Sequence, residues 1–339
     1  MQKKVTMDVI AGKLGISKNT VSLALRGMPG ISVSTRKKIE ETATQMGYKY
    51  KSHLRNITTR NLCLIIAKST RDSIGFFSYV QLGIEDEARK NNLNTIIHYY
   101  DENDDGFETP NCIKDGMVSG IITLGRMSKK TINYIMAYNL PIIMVDNYFD
   151  NLVMDCVLTD NQCGGYTVTE YLIDCGHTDI GFLGDISASV SFYDRYRGYL
   201  KAMKDHGIKP NESHSITDKK LETVAGEEIA RIFKGMEDGT GLPTAFVCCN
   251  DAEAIVIIKE LKNMGKAVPD DISIVGFDDI EAAGNVTPEL TTLRVQKEVM
   301  GKRAVSKLLQ RLDADAQPCE KILLSASLVE RQSVKKLNV

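Results

Sequence analysis

The apolar positions along the chain change period near residue 61, and that change divides it. Over residues 6–47 they recur at helical spacing in three runs: Val9, Ile10 and Leu14, then Val21, Leu23, Ala24 and Leu25, then Ile39, Ala43 and Met46. Thr6 and Ser17 stand where the first two runs need N-caps, with hydroxyls able to satisfy orphan N–H groups. Gly15 falls where a tight turn between them needs positive φ, which costs glycine little. Ser32 or Ser34 can cap the third run, and Gly47 ends it. The pattern predicts three short helices forming a small domain. Its first two helices, over residues 6–27, are either a helix-turn-helix or an ordinary αα-hairpin. Residues 48–60 lack a strong period, which reads as a linker or as a short helix that orders on a partner.

Beyond residue 61, short apolar runs alternate with longer amphipathic ones. Strands are predicted at LCLIIA, NTIIHYY, GIITL, PIIMVD, CVLTD, DIGFLG, AFVCCND and ISIVGFDD. Helices are predicted over residues 76–90, 106–117, 133–138, 161–175, 192–206, 221–233 and 252–264. Such alternation implies parallel sheets covered by helices on both faces, with enough units for two doubly wound subdomains.

Composition sharpens this picture. With 339 residues, 43% of them hydrophobic, the chain can bury a large core in two or three domains. Its net charge of -2 hides an asymmetry: residues 1–60 carry twelve Lys/Arg against three Asp/Glu, a net of +9, and the remainder carries −11. A basic head on an acidic body is the footprint of a phosphate-binding module, and it turns the hairpin reading toward DNA.

Eight cysteines without CxxC spacing predict reduced, mostly buried thiols and no metal site. No apolar stretch suits a signal peptide or a membrane span, so a cytoplasmic protein with no membrane partner is expected. No phosphate-cradling Gly-rich loop and no nucleophile or metalloprotease signature occurs, so neither cofactor nor catalysis is expected. The five histidines are dispersed and read as surface or helix-end residues. In sheets of this type ligands bind beyond the carboxyl ends of strands. Asp146, Asp160, Asn250, Asp251, Asp278 and Asp279 stand there, either to line a cleft for a hydroxyl- or amide-rich ligand or merely to cap the next helix or turn.

At this point the residues resemble the lac-repressor/galactose-repressor type of transcriptional regulator. The resemblance runs through TMDVIAGKLGISKNTVSLALRG, ISVSTRKKI and MGY in the head. It continues in the body through GIEDEA, GIITL, PIIMVD, TDNQCGGY, CGHTDIGFLG, RYRGYLKAM, PTAFVCCND, VPDDISIVGFDD, TPELTTLRV and MGKRAV. It implies an α/β protein with an N-terminal three-helix DNA-binding domain (1–48) and a hinge segment (49–60). The implied core (61–339) is periplasmic-binding-protein-like, with two doubly wound parallel-sheet subdomains, one of about 61–160 plus 292–321 and the other of about 161–291 plus 322–331. The implied partners are a pseudo-palindromic double-stranded operator, a small effector of saccharide type and a second copy of the chain. The tail RQSVKKLNV carries no heptad repeat for further assembly.

The resemblance also assigns residues. Ser17, Lys18, Asn19, Thr20 and Ser22 start the recognition helix; Lys18 suits guanine and Asn19 adenine, while Ser17, Thr20 and Ser22 suit phosphate. Leu23 replaces the family's arginine and could pack on a thymine methyl. Thr6 and Arg55 complete the DNA-facing set, and Ile57 sits at the position of the minor-groove wedge. Leu54, Tyr50 and Lys51 depart from the usual hinge. In the cleft, Arg195, Asn250 and Asp278 match polar effector contacts, with Asp146 and Asp160 beside them. Phe76 and Phe77 match an aromatic pair, of which either one stacks on a sugar ring or both lie in the core. Two other readings compete: a sugar sensor without genetic control would need an export signal and no basic head, and an enzyme would need a cofactor loop or paired catalytic groups.

Overall fold

A computed structural model of the chain describes residues 5–25, 31–48, 60–71, 75–101, 107–313 and 318–337. Of the residues singled out above, Arg55, Ile57, Tyr50, Lys51 and Leu54 lie outside the described residues.

The head is three helices, α1 (Met7–Leu14), α2 (Lys18–Leu25) and α3 (Val33–Gln45), closed on a core of Ile10, Ala11, Val21, Ala24, Leu25, Ile39 and Ala43. Gly15 takes φ 65° at the end of α1, as the turn requires. Ser17 Oγ accepts from the Thr20 N–H at 3.0 Å and Ser32 Oγ from the Thr35 N–H at 3.1 Å, so both expected caps form. Thr6 behaves differently: it occupies the N-cap position, but its hydroxyl makes no capping bond and its carbonyl accepts from Val9 and Ile10. Val9 is 48% exposed. It is turned about 100° from Ile10 around the helix, and the eight-residue α1 buries a narrower stripe than expected.

The body begins with β1 (Asn61–Ala67), α4 (Lys68–Arg71), α5 (Phe77–Lys90), β2 (Asn94–Tyr100), α6 (Asn111–Lys114), β3 (Gly120–Leu124), α7 (Lys129–Met136), β4 (Ile142–Val145) and β5 (Asp155–Thr159). It continues with α8 (Asn161–Asp174), β6 (Ile180–Leu183), α9 (Val190–Asp205), α10 (Gly226–Gly239), β7 (Ala245–Cys248), α11 (Asp251–Asn263) and β8 (Ser273–Val275). It ends with β9 (Thr292–Arg294), α12 (Lys297–Asp313), β10 (Lys321–Leu324) and β11 (Ser327–Val329). One parallel sheet has the order β10-β5-β4-β3-β1-β2, and a second has the order β6-β7-β8. The antiparallel pair β9-β11 lies on segments that run between them.

β1 shows why the strands read as unbroken apolar runs. Leu62, Leu64 and Ile66 enter one core cluster, and Cys63, Ile65 and Ala67 enter the cluster on the opposite face. A strand covered on both sides has no polar face to alternate with. The chain leaves the first sheet after β5, returns through β9 into α12, and adds β10 beside β5 before crossing again into β11. The boundary drawn at 321/322 from sequence falls inside β10.

Several elements differ from the sequence reading. The helix expected over 106–117 is, in its described part, the single turn α6, with Pro110 at its N-cap and Gly116 at φ 66° beyond it. The helix expected over 221–233 begins as a 3-10 turn, Leu221–Thr223, and restarts as α10 after extended Val224 and Ala225. α7 starts at Lys129 because Ser128 caps it. Of the histidines read as surface or helix-end residues, His177 and His214 are buried, although His214 does end a 3-10 turn, Glu212–His214: His177 bonds Thr244 and the Lys335 carbonyl, and His214 bonds Asp179 and Thr240.

Candidate functional site

In the head, Ser17, Lys18 and Asn19 are exposed at the start of α2, with Thr20, Ser22 and Leu23 half-buried. The Ser17 oxygen is committed to capping, since it contacts both the N–H and the hydroxyl of Thr20. Lys18 Nζ lies 2.9 Å from Asp8 Oδ2, both side chains 62% exposed. An exposed pair of this kind contributes at most about 1 kcal/mol, so Lys18 can exchange Asp8 for a nucleic-acid acceptor at little cost. Thr6 is exposed at the head of α1.

In the body, the chemistry gathers on Arg195 in the second turn of α9. Its side chain is 3% exposed, and Nη2 reaches Asp278 Oδ1 at 3.1 Å. Nε donates to Asn161 Oδ1 at 2.9 Å, and Nη1 donates to the Cys249 carbonyl. The guanidinium carbon also lies 3.7 Å from the centroid of the Phe277 ring. These partners come from the first turn of α8, the end of β7 and the end of β8, so three strand-to-helix junctions meet on one cation. Lys297, at the start of α12, donates Nζ to the Asp278 and Asp279 carbonyls at 2.6 and 2.9 Å.

Asp146 faces this group from the first sheet, accepting from Ser191 Oγ at 2.8 Å. Burial pushes its carboxyl up to about 6, against the pull of Arg195 and the Ser191 hydroxyl. Burial also raises Asp278, although Arg195 and Lys297 oppose the rise. Asp146, Asp278 and Asp279 hold φ of 56°, 114° and 52°. Such non-glycine conformations persist only where the surroundings over-determine them, and they cluster at functional sites. Asp279 is held by Arg294 and Arg331, each at 2.6 Å, and although its burial favours the neutral acid these two bonds bring its pKa below the usual value.

The remaining strand-end residues divide. Asp160 caps α8 through the Cys163 N–H and Asn250 caps α11 through the Glu253 N–H, which is the simpler of the two roles anticipated for each. Asp251 is wholly buried, bonded by Thr292 and the Ile280 N–H, and burial with the Asp278 charge pushes it up to about 8. Phe76 is 7% exposed and belongs to the core, whereas Phe77 is half-buried, edge-on to Phe76 at 4.9 Å and beside Gly125. Only Phe77 retains surface for stacking on a ligand. A groove of about 630 Å³ lies away from Arg195, between α5 and the 281–284 turn, lined by Gly75, Ser78, Tyr79, Leu82, Ile280 and Asn285 among others.

Sequence reasoning missed Asn161, Ser191, Phe277 and Lys297. Asn161 directly follows a strand-end aspartate and Phe277 directly precedes another, and that adjacency was the available signal.

Two family models match the chain: bacterial regulatory proteins of the lacI family over residues 6–50, and a periplasmic binding protein-like domain over residues 169–334. The ribose operon repressor of Haemophilus influenzae is 29% identical over 334 residues, covering 98% of this chain and 99% of the relative. Among solved structures, a CelR–cellobiose complex superposes with TM-score 0.70 at 19% identity, covering 97% of this chain and 99% of that one. The lac repressor dimer bound to operator and the anti-inducer ONPF superposes with TM-score 0.69 at 22% identity, covering 98% and 100%.

Proposed function

The chain belongs to the lac-repressor family of bacterial transcriptional regulators, and on that premise we propose that it is a homodimeric operator-binding repressor whose hold on DNA is set by a saccharide-type effector taken between the two halves of its core. The observation that carries the reading is the convergence on Arg195: a buried guanidinium joined to Asp278, with the Asp146 carboxylate facing it from the other half. An arginine fork flanked by carboxylates matches a pair of vicinal hydroxyls, and closing two halves on such a ligand fixes their relative angle. The names of a ribose operon repressor and of a cellobiose complex among the similar proteins point to the same ligand class.

In this reading residues 1–48 form the head, 49–60 the hinge carrying Arg55 and Ile57, and 61–339 the core. Lys18 and Asn19 read base edges, Ser17, Thr20, Ser22, Thr6 and Arg55 meet phosphate, and Leu23 packs on a thymine methyl. Phe77 offers the ligand an aromatic face, and Asn250 and Asp160 contribute beyond their capping bonds. Exposed Tyr79 and Leu82 beside the α5 groove suit a second copy of the chain. Two-fold symmetry then requires two recognition helices in successive major grooves of a pseudo-palindromic site.

A gel-shift against the promoter beside its own gene tests the DNA half of this reading. Retardation of that fragment over random DNA is expected. Absence of a shift at low salt on any palindromic site contradicts it.

A further inference from the structure

Among the described residues, three side-chain bonds join the two halves directly at one rim of the cleft, and all three land on the same segment, residues 188–194. Arg126 Nη1 donates to the Ala188 carbonyl at 3.0 Å, Ser191 Oγ to Asp146 at 2.8 Å, and Tyr148 Oη to Asp194 Oδ2 at 2.9 Å. The last is built most firmly. Lys321 of β10 holds its ammonium 3.6 Å from the centroid of the Tyr148 ring, which fixes the ring against the first sheet. Across the cleft, Asp194 is 16% exposed, and Arg197 Nη1 holds its other oxygen at 3.4 Å. Tyr148 therefore stands anchored in one half and reaches a carboxylate anchored in the other. Asp194 immediately precedes Arg195, so any movement of this rim moves the cation at the centre of the site.

We propose that Tyr148 and Asp194 form a latch that holds the two halves in the closed arrangement, with Lys321 as the positioning residue that aims the phenol. A phenol donating to a carboxylate is a charge-assisted bond and stronger than a neutral one. The latch carries no part of the ligand's recognition. It sets how often the cleft opens, and so how readily a ligand enters and how far ligand occupancy changes the angle between halves. That consequence rests on the reading of the cleft as the effector site; the latch itself does not.

Hydrogen exchange on the full-length, ligand-free protein tests it, because exchange reads rare openings and needs no identified effector. In Tyr148→Phe, amides over residues 146–150 and over 188–196 are expected to exchange about tenfold faster together, as loss of a bond to a charged group implies. Lys321→Met should produce a smaller change in the same two segments. Asp194→Asn, which keeps an acceptor oxygen but not its charge, should lose less of the protection than Asp194→Leu does. Exchange in α11 serves as the reference for an intact fold; if Tyr148→Phe raises it too, the comparison of Asp194→Asn with Asp194→Leu decides. Unchanged exchange over 188–196 in Tyr148→Phe, or equal loss in both Asp194 variants, overturns the latch. Either result leaves the operator and effector reading standing.

Discussion

Gly165 of α8 lies directly under the Arg195 carbonyl of α9: a Cβ added at Gly165 would stand 2.1 Å from that oxygen. The contact is reciprocal, since a Cβ on Gly198 would stand 2.1 Å from the Gln162 carbonyl. Two helices thus touch backbone to backbone at the residue whose cation organises the cleft. The first half repeats the device between α5 and α12, where Cβ atoms on Gly83 and Gly301 would lie 2.2 Å from the Glu298 and Val80 carbonyls. Packing and site geometry are therefore one constraint here.

Gly165→Ala is expected to lower stability by about 1–3 kcal/mol, the usual cost of overpacking, and to shift Arg195 away from Asp278. Urea unfolding measures the first effect. A midpoint within error of the wild type would show that the helices can separate freely.

Arg195→Met leaves the Asp278 carboxylate buried without its cation, and removing one partner of a buried pair costs about 3–5 kcal/mol. The sign of its pH dependence is set by Asp278, whose folded pKa is already raised by burial and rises further without Arg195. A raised carboxyl stabilises the fold fully below its unfolded pKa and loses that contribution as pH rises through the folded value. The deficit of Arg195→Met should accordingly shrink as the pH falls and Asp278 takes up its proton. A deficit that grows instead would contradict the pairing.

Glu253 is wholly buried, donated to by the Leu221 N–H and the Cys249 thiol, and its burial pushes it up to about 7. An unfolded glutamate titrates near 4.3, so the folded protein binds the extra proton more tightly. Its contribution is complete below that unfolded value and fades as pH rises through about 7. Between pH 6 and 8 the loss is on the order of 1 kcal/mol. Glu253→Gln, which mimics the neutral acid, should flatten that part of the stability profile. An unchanged slope would mean that Glu253 is not titrating there.

Asn19→Ala should relax discrimination at one operator position by about 1–3 kcal/mol. Arg55→Ala should instead weaken all sites alike and reduce the salt slope by about 1. Binding to the operator and to single-base variants at two salt concentrations separates them. Equal losses for Asn19→Ala on operator and random DNA would refute the base-reading role.

The parallel sheets and the three-helix head were legible because buried strands and capped helices leave local patterns. β1 is unbroken and apolar from Leu62 to Ala67, and Ser17 and Ser32 are caps in sequence and in structure. α12 was not read as a helix, although Met300, Ala304, Val305 and Leu308 recur at helical spacing; of its cations only Lys307 breaks that face, and it is buried against Asp155 and Glu320. The buried His177 and His214 were equally hidden, since each is made acceptable inside by partners far along the chain. The strand-end carboxylates were visible as a group, yet nothing local distinguishes Asp160, which caps its own helix, from Asp278, which meets Arg195 eighty-three residues away. Tertiary pairing made that division.

The most direct test of the account measures operator affinity across a saccharide panel, by fluorescence anisotropy, for the wild type and Arg195→Met. At least one saccharide should change the wild-type dissociation constant by about 5–150-fold, and operator should change the saccharide's affinity by the same factor, while Arg195→Met shows no change. A saccharide effect that survives in Arg195→Met, or an operator affinity indifferent to every saccharide, would contradict the account.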